Sequence, residues 1–554
     1  MELKELDWNA DSIVLIPAAG GSRDIIGRES NFPAALVRLG NKPIICLSLE
    51  HLISEGFRHF RIGITPKYMD NFKNALGRFE SEAVIELIAS SQEDSAINTL
   101  KILAENISAK SSILVNLGDT FCKWNLQEFQ QCDVAILIEK VPETERWSTV
   151  NISREGEVTD LFEKNSKIGG SFGVCGVYWW RDGIQFLSKL LNLKNDANIS
   201  DLLRIETLGI VHGVIPDLWC DSDHGDMREN SRHRVIESRS FNEIVIDDFR
   251  GILRKRSSNK EKLVLEIEYY KNIPDSLQIF FPRMLGWKIS ESENYQDLEY
   301  YSYPTLSDLY CYEKVPNFVW QRIFEKLSRI TFREFASITS GNPEDEQSLS
   351  DIFVTKIEAR NSNLVREPSA ISQILAKSII SINEIEYLGV SQILERSRQI
   401  LDTHESPWTF VHGDFCLSNI LCEPDSNNMK FIDPRGGFVG PSCYGPQLYD
   451  VAKLSHSIIG KYDLIISDQF SLDVSKLRYN QTFLKIRESS WHGEIEYEFT
   501  KTYLGDKINP ALAKLVSGLA LLSNPIFHLD KPERAISMIL QGVIISNEAI
   551  LELA

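Results

Sequence analysis

The chain has 554 residues, of which 43% are hydrophobic and 25% charged, and its formal net charge is -19. Single hydrophobic cores stop growing at about 250–300 residues, so this length predicts two domains of similar size. The acidic balance disfavours nucleic acid or a membrane surface as a general partner, because their phosphates are repelled by such a field.

The first predicted elements alternate between strands and helices. Ser12–Ala18 predicts a strand that ends in a glycine-rich turn, Ile44–Glu55 predicts a helix, and Phe60–Ile64 predicts another strand. Further strands are expected at Ile113–Leu117 and Val134–Ile138. This alternation predicts an α/β domain with a mixed, mainly parallel sheet, helices on both faces and ligands at the carboxyl ends of the strands.

The turn after the first predicted strand has residue types that favour phosphate binding. Gly20, Gly21 and Ser22 would let backbone N–H groups approach a triphosphate, and Arg23 would neutralise its charge. The alternative is a turn that binds nothing. We predict that Gly20, Gly21 and Ser22 bind nucleotide and that Arg23 is catalytic.

Two carboxylates further along this half are candidate metal ligands. Asp119 follows the strand expected at Ile113–Leu117, and Asp221 lies in the acidic segment Trp219–His224. Carboxylates on separate strand ends can hold Mg²⁺ on an α-phosphate while an incoming phosphate attacks it and pyrophosphate leaves. A plain turn at Asp119 and a solvated acidic loop at Asp221 are the alternatives.

These motifs, with Asn31–Leu36 and Lys42–Pro43 between them, resemble the sugar-phosphate nucleotidyltransferases and related cytidylyltransferases. The resemblance implies a Rossmann-like nucleotidyltransferase domain that uses CTP, UTP or another NTP. It also implies that Glu163 and Lys164 bind the sugar phosphate. The glycine loop is shorter than in that family, and Ala34 stands where the family has a lysine.

The sequence pattern changes after about residue 235. Ser240–Arg256 holds two short β-like runs, and Lys260–Asn272 predicts an amphipathic helix. The region after Phe318 is mostly helical, apart from the β-like segment Trp408–Ile432. A small sheet followed by a large helical region is the arrangement of a kinase-like α+β domain. We therefore predict domains at residues 1–235 and 236–554.

The strongest functional pattern is H-x-D-x-x-x-x-N at His412–Asn419, followed after the next predicted strand by Asp433. Phosphoryl transfer needs a carboxylate that orients the attacking hydroxyl and accepts its proton, and oxygen ligands that hold Mg²⁺ on the phosphates. This spacing predicts Asp414 as the base and Asn419 and Asp433 as metal ligands. His412 is expected to brace the loop. The alternative is an Asx-rich turn between two strands.

This pattern resembles the aminoglycoside phosphotransferase and choline kinase superfamily, whose fold is protein-kinase-like. The resemblance implies ATP as the phosphate donor and a catalytic Lys255 that pairs with Glu266 to hold the nucleotide phosphates. Arg254, Arg256 and Glu268 are neighbouring candidates for the same pair. A solvated basic strand beside an acidic helix is the alternative.

The order of the motifs across both halves resembles bacterial capsule or surface-polysaccharide proteins that fuse these two domains, in which Asp223 here replaces a glycine. The resemblance implies a bifunctional enzyme that phosphorylates a sugar, choline or ethanolamine and then joins a phosphate to a nucleotide. The product would be a nucleotide-activated sugar or a CDP-alcohol. Two interpretations stay open: a small-molecule kinase with a degraded nucleotidyltransferase domain that binds or regulates, and an antibiotic phosphotransferase.

The cysteines and the ends of the chain bear on its location. The nine cysteines lack a CxxC pair or zinc spacing, which favours reduced thiols in a cytoplasmic protein. No secretory signal is expected at Met1–Asp11, which lacks an apolar segment. The interrupted apolar stretch Leu512–Leu529 indicates a buried helix and no membrane insertion. The sequence does not specify an oligomeric state.

Overall fold

The computed structural model divides into two compact units, residues 1–237 and 238–554. It describes residues 12–23, 29–39, 42–91, 95–108, 111–129, 131–141, 144–164, 169–203, 209–221, 242–247, 249–290, 293–339, 347–365, 369–435 and 442–554. For residues 22, 23, 29–31, 144 and 242 it describes the backbone alone.

The first unit is built on a nine-stranded sheet. Its strands and short ribbons are β1 (Ile13–Pro17), β2 (Gly21–Arg23), β3 (Glu29–Pro33), β4 (Arg38–Leu39), β5 (Lys42–Pro43), β6 (His59–Ile64), β7 (Val84–Ala89), β8 (Ile113–Asn116), β9 (Thr120–Lys123), β10 (Val134–Lys140), β11 (Thr149–Ile152), β12 (Val158–Phe162), β13 (Phe172–Trp180), β14 (Val211–Val214) and β15 (Leu218–Asp221). The α-helices are Ile44–Ser54, Met69–Leu76, Ala96–Leu103, Leu126–Phe129 and Gly183–Asn192.

The sheet order is β12-β11-β13-β8-β1-β6-β7, with β10 pairing with β13 and β14 with β10. Strands β12 and β13 run opposite to the other seven. The predicted mixed, mainly parallel sheet is confirmed.

Helices cover the central strands, which explains why those strands are apolar on both faces. Val14, Leu15 and Ile16 of β1 are completely buried. Leu100, from the helix Ala96–Leu103, and Trp180, from β13, belong to the same core cluster as Leu15. This packing fixes the carboxyl ends of β1 and β8 side by side, where the chain turns toward the candidate site.

The second unit begins with a four-stranded antiparallel sheet and continues into a larger, mainly helical part. Its strands are β16 (Asn242–Asp247), β17 (Ile252–Ser257), β18 (Met284–Ile289), β19 (Asn294–Glu299), β20 (Ile379–Ile382), β21 (Ile385–Leu388), β22 (Trp408–Phe410), β23 (Ile420–Glu423), β24 (Asn428–Phe431), β25 (Tyr444–Pro446), β26 (Phe470–Asp473) and β27 (Gln481–Ile486). The α-helices are Lys260–Lys271, Leu306–Tyr312, Asn317–Arg329, Lys356–Leu364, Ala370–Leu375, Val390–Leu401, Gln447–Ile458, Tyr462–Ile466, His492–Glu498, Pro510–Ser523 and Pro532–Leu553.

The first sheet of this unit has the order β16-β17-β19-β18, and the helix Lys260–Lys271 follows β17. Asn259 begins that helix, because its side chain accepts a hydrogen bond from the Lys262 N–H at 3.0 Å. The predicted α+β class is confirmed.

The last two helices pack closely at glycines. A Cβ added to Gly518 would lie 3.1 Å from the Gly542 carbonyl oxygen, so neither helix has room for a side chain there. The helix Pro532–Leu553 is long and apolar enough to cross a membrane, but 67% of its apolar window is buried inside the unit. That burial is typical of a helix in the core of a domain.

Candidate active sites

The loop that carries Asp414 is held by backbone hydrogen bonds to a buried carboxylate. The N–H groups of His412 and Gly413 donate to the two oxygens of Asp450, at 2.7 and 2.8 Å. The Asn419 side-chain amide donates to the Asp414 carbonyl at 2.8 Å. The loop is therefore fixed from both sides, which holds the Asp414 carboxylate in place.

Two cations hold the Asp414 carboxylate, which is 10% exposed. The Lys453 ammonium lies 3.0 Å from one oxygen and the Arg435 guanidinium lies 3.2 Å from the other. Burial alone would raise the pKa of Asp414, but Lys453 and then Arg435 more than offset it and hold that pKa well below its ordinary value. Asp414 is thus a carboxylate at neutral pH.

His412 lies beneath this loop, completely buried. Its Nδ1 accepts a hydrogen bond from the Asp414 N–H at 3.3 Å, and its ring stacks on Phe281. Burial lowers the pKa of His412 to about 4, so the ring is neutral near pH 7. These contacts match the bracing role expected from the sequence.

A second ion cluster joins the small sheet to the helical part of the unit. The Lys255 ammonium, on β17, lies 2.8 Å from Glu266 and 2.6 Å from Asp433. Gln296 also donates to Glu266. Burial disfavours the charged Lys255, but Asp433 and then Glu266 raise its pKa above the ordinary value, so it stays protonated.

The neighbouring charged residues have other partners. Arg254 forms a double hydrogen bond with Asp297 at 2.7 and 2.8 Å. Arg256 lies 3.4 Å from Glu243. Glu268 pairs with Lys271 on its own helix, which leaves Lys255 and Glu266 as the internal pair.

Asn419 and Asp433 lie at the same end of one hairpin. Asn419 precedes β23, Asp433 follows two residues after β24, and the Ile432 N–H donates to the Asn419 carbonyl at 3.0 Å. The Asp433 side chain is 52% exposed and lines a cavity with Lys255, Glu266 and Arg435. The structure therefore brings Asp414, Asn419, Asp433 and Lys255 into one region of the unit.

Gly413 makes the loop geometry possible, and its replacement gives a stability prediction. Its φ is +78°, and an added Cβ would lie 1.6 Å from the Arg435 carbonyl oxygen. Gly413→Ala should therefore lower the free energy of unfolding by at least about 2 kcal/mol, measured by chemical denaturation. Gly493→Ala is the control, because a Cβ there meets no atom within 4 Å. Equal stability of the two variants would contradict this close approach of Gly413 to Arg435.

In the first unit, two turns meet at the carboxyl ends of β1 and β8. A Cβ added to Gly118 would lie 2.9 Å from Ala18 Cα, so only glycine lets these turns approach so closely. Asp119 follows directly on Gly118, and Gly20 lies two residues beyond Ala18. The turn carrying Asp119 thus lies against the turn that leads into the glycine segment.

Asp119 and Asp221 come close through the ribbon formed by β9 and β15. Asp221 lies opposite Thr120, the residue after Asp119, in the strand register. The Trp219 indole donates to the Thr120 hydroxyl at 3.0 Å and holds that end of the ribbon. Burial first, and then the negative charge of Asp119, raises the pKa of Tyr178.

The glycine segment differs from the predicted turn. Gly20 is exposed and its carbonyl accepts a hydrogen bond from the Ala34 N–H at 3.0 Å. Gly21–Arg23 is extended, because its backbone pairs with Glu29–Pro33 in a hairpin. The side chains of Ser22 and Arg23 lie outside the described part of the structure. Ala34 is buried at the start of a short 3₁₀ helix.

Glu163 and Lys164 follow β12. Both oxygens of Glu163 accept hydrogen bonds from the buried Ser200 hydroxyl, at 2.8 Å each. Lys164 is exposed. Glu163 also contributes to the raised pKa of Tyr178, after burial, Asp119 and Cys175. Asp223 and His224 lie outside the described residues.

Among the described residues, no three His, Cys, Asp or Glu side chains form a metal-binding group. Mg²⁺ is commonly held by one or two carboxylates together with substrate phosphates and water. The oxygens of Asp433 and Asn419 in one unit, and of Asp119 and Asp221 in the other, fit that pattern.

Sequence reasoning missed the two cations on Asp414 and the amide on Glu266. Lys453 lies one turn after Asp450 on the helix Gln447–Ile458, and Arg435 lies two residues after Asp433. These short spacings from residues of the recognised motif could have identified Lys453 and Arg435 as candidate partners of Asp414. Gln296 has no such signal, because only the pairing of β17 with β19 brings it to Glu266.

Comparison with family models finds one match in each part of the chain. Residues 30–206 match the family model described as nucleotidyl transferase. Residues 375–470 match the model described as phosphotransferase enzyme family. The second match includes Asp414, Asn419, Asp433 and Lys453. Both families are enzymes, as the sequence predicted.

Solved structures align with part of the chain. One is HddC from Yersinia pseudotuberculosis complexed with GMP-PN, at 15% identity and TM-score 0.34, covering 40% of this chain and 99% of that chain. Another is a UDP-glucose pyrophosphorylase complexed with UDP-glucose, at 18% identity and TM-score 0.34, covering 40% and 97%. The chain has no significant match among curated proteins.

Proposed function

We propose that this chain, which joins a nucleotidyl transferase domain to a phosphotransferase domain, makes a nucleotide-activated precursor in two chemical steps. The phosphotransferase domain phosphorylates a sugar or small alcohol with ATP. The nucleotidyl transferase domain joins a phosphate of this kind to CTP, UTP or another NTP and releases pyrophosphate. We place the enzyme in the cytoplasm and its product in surface-polysaccharide synthesis. We assign the domains to residues 1–235 and 236–554.

The observation that carries the proposal is the arrangement around Asp414. In phosphoryl transfer the acceptor hydroxyl oxygen forms a bond to the γ-phosphorus, the bond from that phosphorus to the bridging oxygen breaks, and ADP leaves. Asp414 orients the hydroxyl and accepts its proton. Because its pKa is low, Asp414 is a weak base, which suits a reaction in which the proton leaves the hydroxyl late.

The remaining roles follow from charge and ligand chemistry. Lys255, fixed by Glu266, holds the nucleotide phosphates. Asp433 and Asn419 would hold Mg²⁺, which neutralises charge that develops on the phosphates.

In the nucleotidyl transferase domain, Asp119 and Asp221 would hold Mg²⁺ on the α-phosphate. Gly20, Gly21, Ser22 and Arg23 bind the nucleotide, and Arg23 also acts in catalysis. We assign Glu163 and Lys164 to the sugar phosphate.

The experiment that tests this function measures two products of the full chain by mass spectrometry. ATP with Mg²⁺ and candidate alcohols should give a phosphorylated alcohol and ADP. CTP, UTP, GTP or ATP with a sugar phosphate or phosphorylated amino alcohol should give pyrophosphate and a nucleotide-linked product. The absence of every phosphorylated alcohol would contradict the kinase assignment.

A second candidate function has one observation in its favour. Ala34 is buried in a short helix, at the position where the family that the sequence resembles has a lysine, so a cation expected there for phosphate binding is replaced by alanine. In this candidate the first domain binds or regulates and catalyses nothing. Pyrophosphate release that depends on Asp119 would exclude it.

The ion pair on Asp414 predicts a shift in pH dependence. In the native chain Asp414 is ionised above its lowered pKa, so kcat should fall on acidification only below about pH 4; this fall is the acid limb of the kcat profile. Lys453→Met removes one of two cations and should raise that pKa, moving the acid limb of kcat up by about one unit or more. Lys501→Met, at an exposed lysine, should leave the limb in place. An unmoved limb in Lys453→Met would contradict the assigned role of Asp414.

A further inference from the structure

A second pocket of the phosphotransferase unit adjoins Asp414. Side chains from three helices line it, including Lys356, Arg360, Tyr449, Lys453 and Ser523. Lys453 connects this pocket to the base, since its ammonium lies 3.0 Å from the Asp414 carboxylate. The Asp433 cavity is lined by other residues, among them Glu266, so the two pockets are separate. This pocket has a volume of only about 20 Å³, so it can admit a small group of the acceptor but not a whole sugar ring.

The pocket is built from two pairs of residues that face each other. Lys356 and Arg360 lie one turn apart on the helix Lys356–Leu364, and Tyr449 and Lys453 lie one turn apart on their own helix. The Lys356 ammonium donates to the Tyr449 hydroxyl at 3.1 Å and joins the two faces. Lys356 first and then Lys453 lower the pKa of Tyr449, although burial and the Asp414 carboxylate act in the opposite direction.

Two of the three cations of this pocket, Lys356 and Arg360, have no carboxylate partner among the described residues, whereas Lys453 is paired with Asp414. Among the described residues, neither Lys356 nor Arg360 has a carboxylate oxygen within 4.0 Å. Arg360 donates instead to the Ser523 carbonyl at 2.8 Å, a neutral partner. Burial lowers the pKa of Arg360, so its charged form is held at a cost. An anion entering the pocket would offset that cost.

We infer that this pocket binds the phosphate acceptor through an anionic group, so the acceptor is an alcohol that carries a phosphate or a carboxylate. The inference rests on the proposed kinase function and adds the substrate class. Choline, ethanolamine and aminoglycosides would meet Lys356 and Arg360 with like charge. The acceptor hydroxyl gives its proton to Asp414, its oxygen bonds to the γ-phosphorus of ATP, and ADP leaves.

The kinetic test compares four acceptors that share the same sugar ring and differ in charge: glucose 6-phosphate, glucuronate, glucose and glucosamine. The full chain with ATP and Mg²⁺ should form ADP with one or both anionic acceptors at a kcat/KM at least about tenfold above that of glucose and glucosamine. The first two acceptors distinguish a phosphate from a carboxylate. Lys356→Gln should raise KM for the preferred anion about tenfold and change kcat little. Lys501→Gln, whose side chain is 59% exposed, should change neither.

A binding measurement makes the result independent of turnover. Acetylation of Lys356 by acetic anhydride, followed by mass spectrometry with a non-hydrolysable ATP analogue present, should slow at least about fivefold with glucose 6-phosphate or glucuronate. Lys501 in the same sample should be acetylated at an unchanged rate. Protection of Lys356 by none of the four, or equally by glucose or glucosamine, would overturn the inference.

Different results would overturn the anionic acceptor and the kinase function. A higher kcat/KM for glucosamine or glucose, lost in Asp414→Asn, would overturn the anionic acceptor and support the kinase. ADP formation that is unaffected by Asp414→Asn with every acceptor would overturn the kinase itself.

Discussion

Asp414→Asn is expected to lower the rate of ATP-dependent phosphorylation by about 10²–10⁴-fold, the range typical of a lost general base. Asparagine keeps the size of the side chain but cannot take the hydroxyl proton. It also leaves Lys453 and Arg435 without the carboxylate that lies 3.0 and 3.2 Å from them. The measurement is the initial rate of phosphorylated-acceptor formation at saturating ATP.

The control for Asp414→Asn is the other activity of the same protein preparation. Pyrophosphate release by the first domain should stay within about twofold of the native rate, because all contacts of Asp414 lie in the second unit. Unchanged phosphorylation in this variant would remove Asp414 from the mechanism. Joint loss of both activities would contradict independent sites.

Asp119→Asn is expected to lower pyrophosphate release by about 10²-fold or more, because loss of a metal-holding carboxylate removes several kcal/mol of transition-state stabilisation. Asparagine should preserve the turn, whose close approach to Ala18 depends on Gly118. The measurement is pyrophosphate release with each NTP and a sugar phosphate, with ADP formation by the second unit as the internal control.

A matched variant separates the metal role of Asp119 from a general effect of charge. Asp133→Asn removes an acid from the same unit at an exposed position, where the side chain is 84% exposed. It should leave pyrophosphate release unchanged. Similar losses in Asp119→Asn and Asp133→Asn would contradict a specific role for Asp119.

Much of the fold could be predicted because its signals are local. The run from Ile13 to Pro17 is apolar because helices bury both faces of its sheet, and the structure makes it the strand β1. Asn259 and the helix after it lie where the pattern at Lys260–Asn272 predicts a helix. The glycine segment is different: Gly21–Arg23 pairs with Glu29–Pro33, and the sequence at residues 20–23 does not show that pairing.

The pairing of charged residues could be predicted only in part. The sequence offers several neighbouring charged residues as the ion pair, and Lys255 with Glu266 is one of the possible pairs. Because side chains alternate between the two faces of a strand, Arg254 points to Asp297 and Lys255 points to Glu266. Residues that meet from distant helices could not be predicted, because their contact depends on tertiary packing. Lys356 and Tyr449 are the main example.

The central claim is that Asp414 directs phosphoryl transfer from ATP to an alcohol. Its most direct test is transfer of a labelled γ-phosphate from ATP to an alcohol by the full chain, measured in native protein and in Asp414→Asn at equal folded concentration. The account predicts labelled phosphoester in the native sample and at least about a hundredfold slower labelling in the variant. Labelling at equal rates in both samples would contradict it.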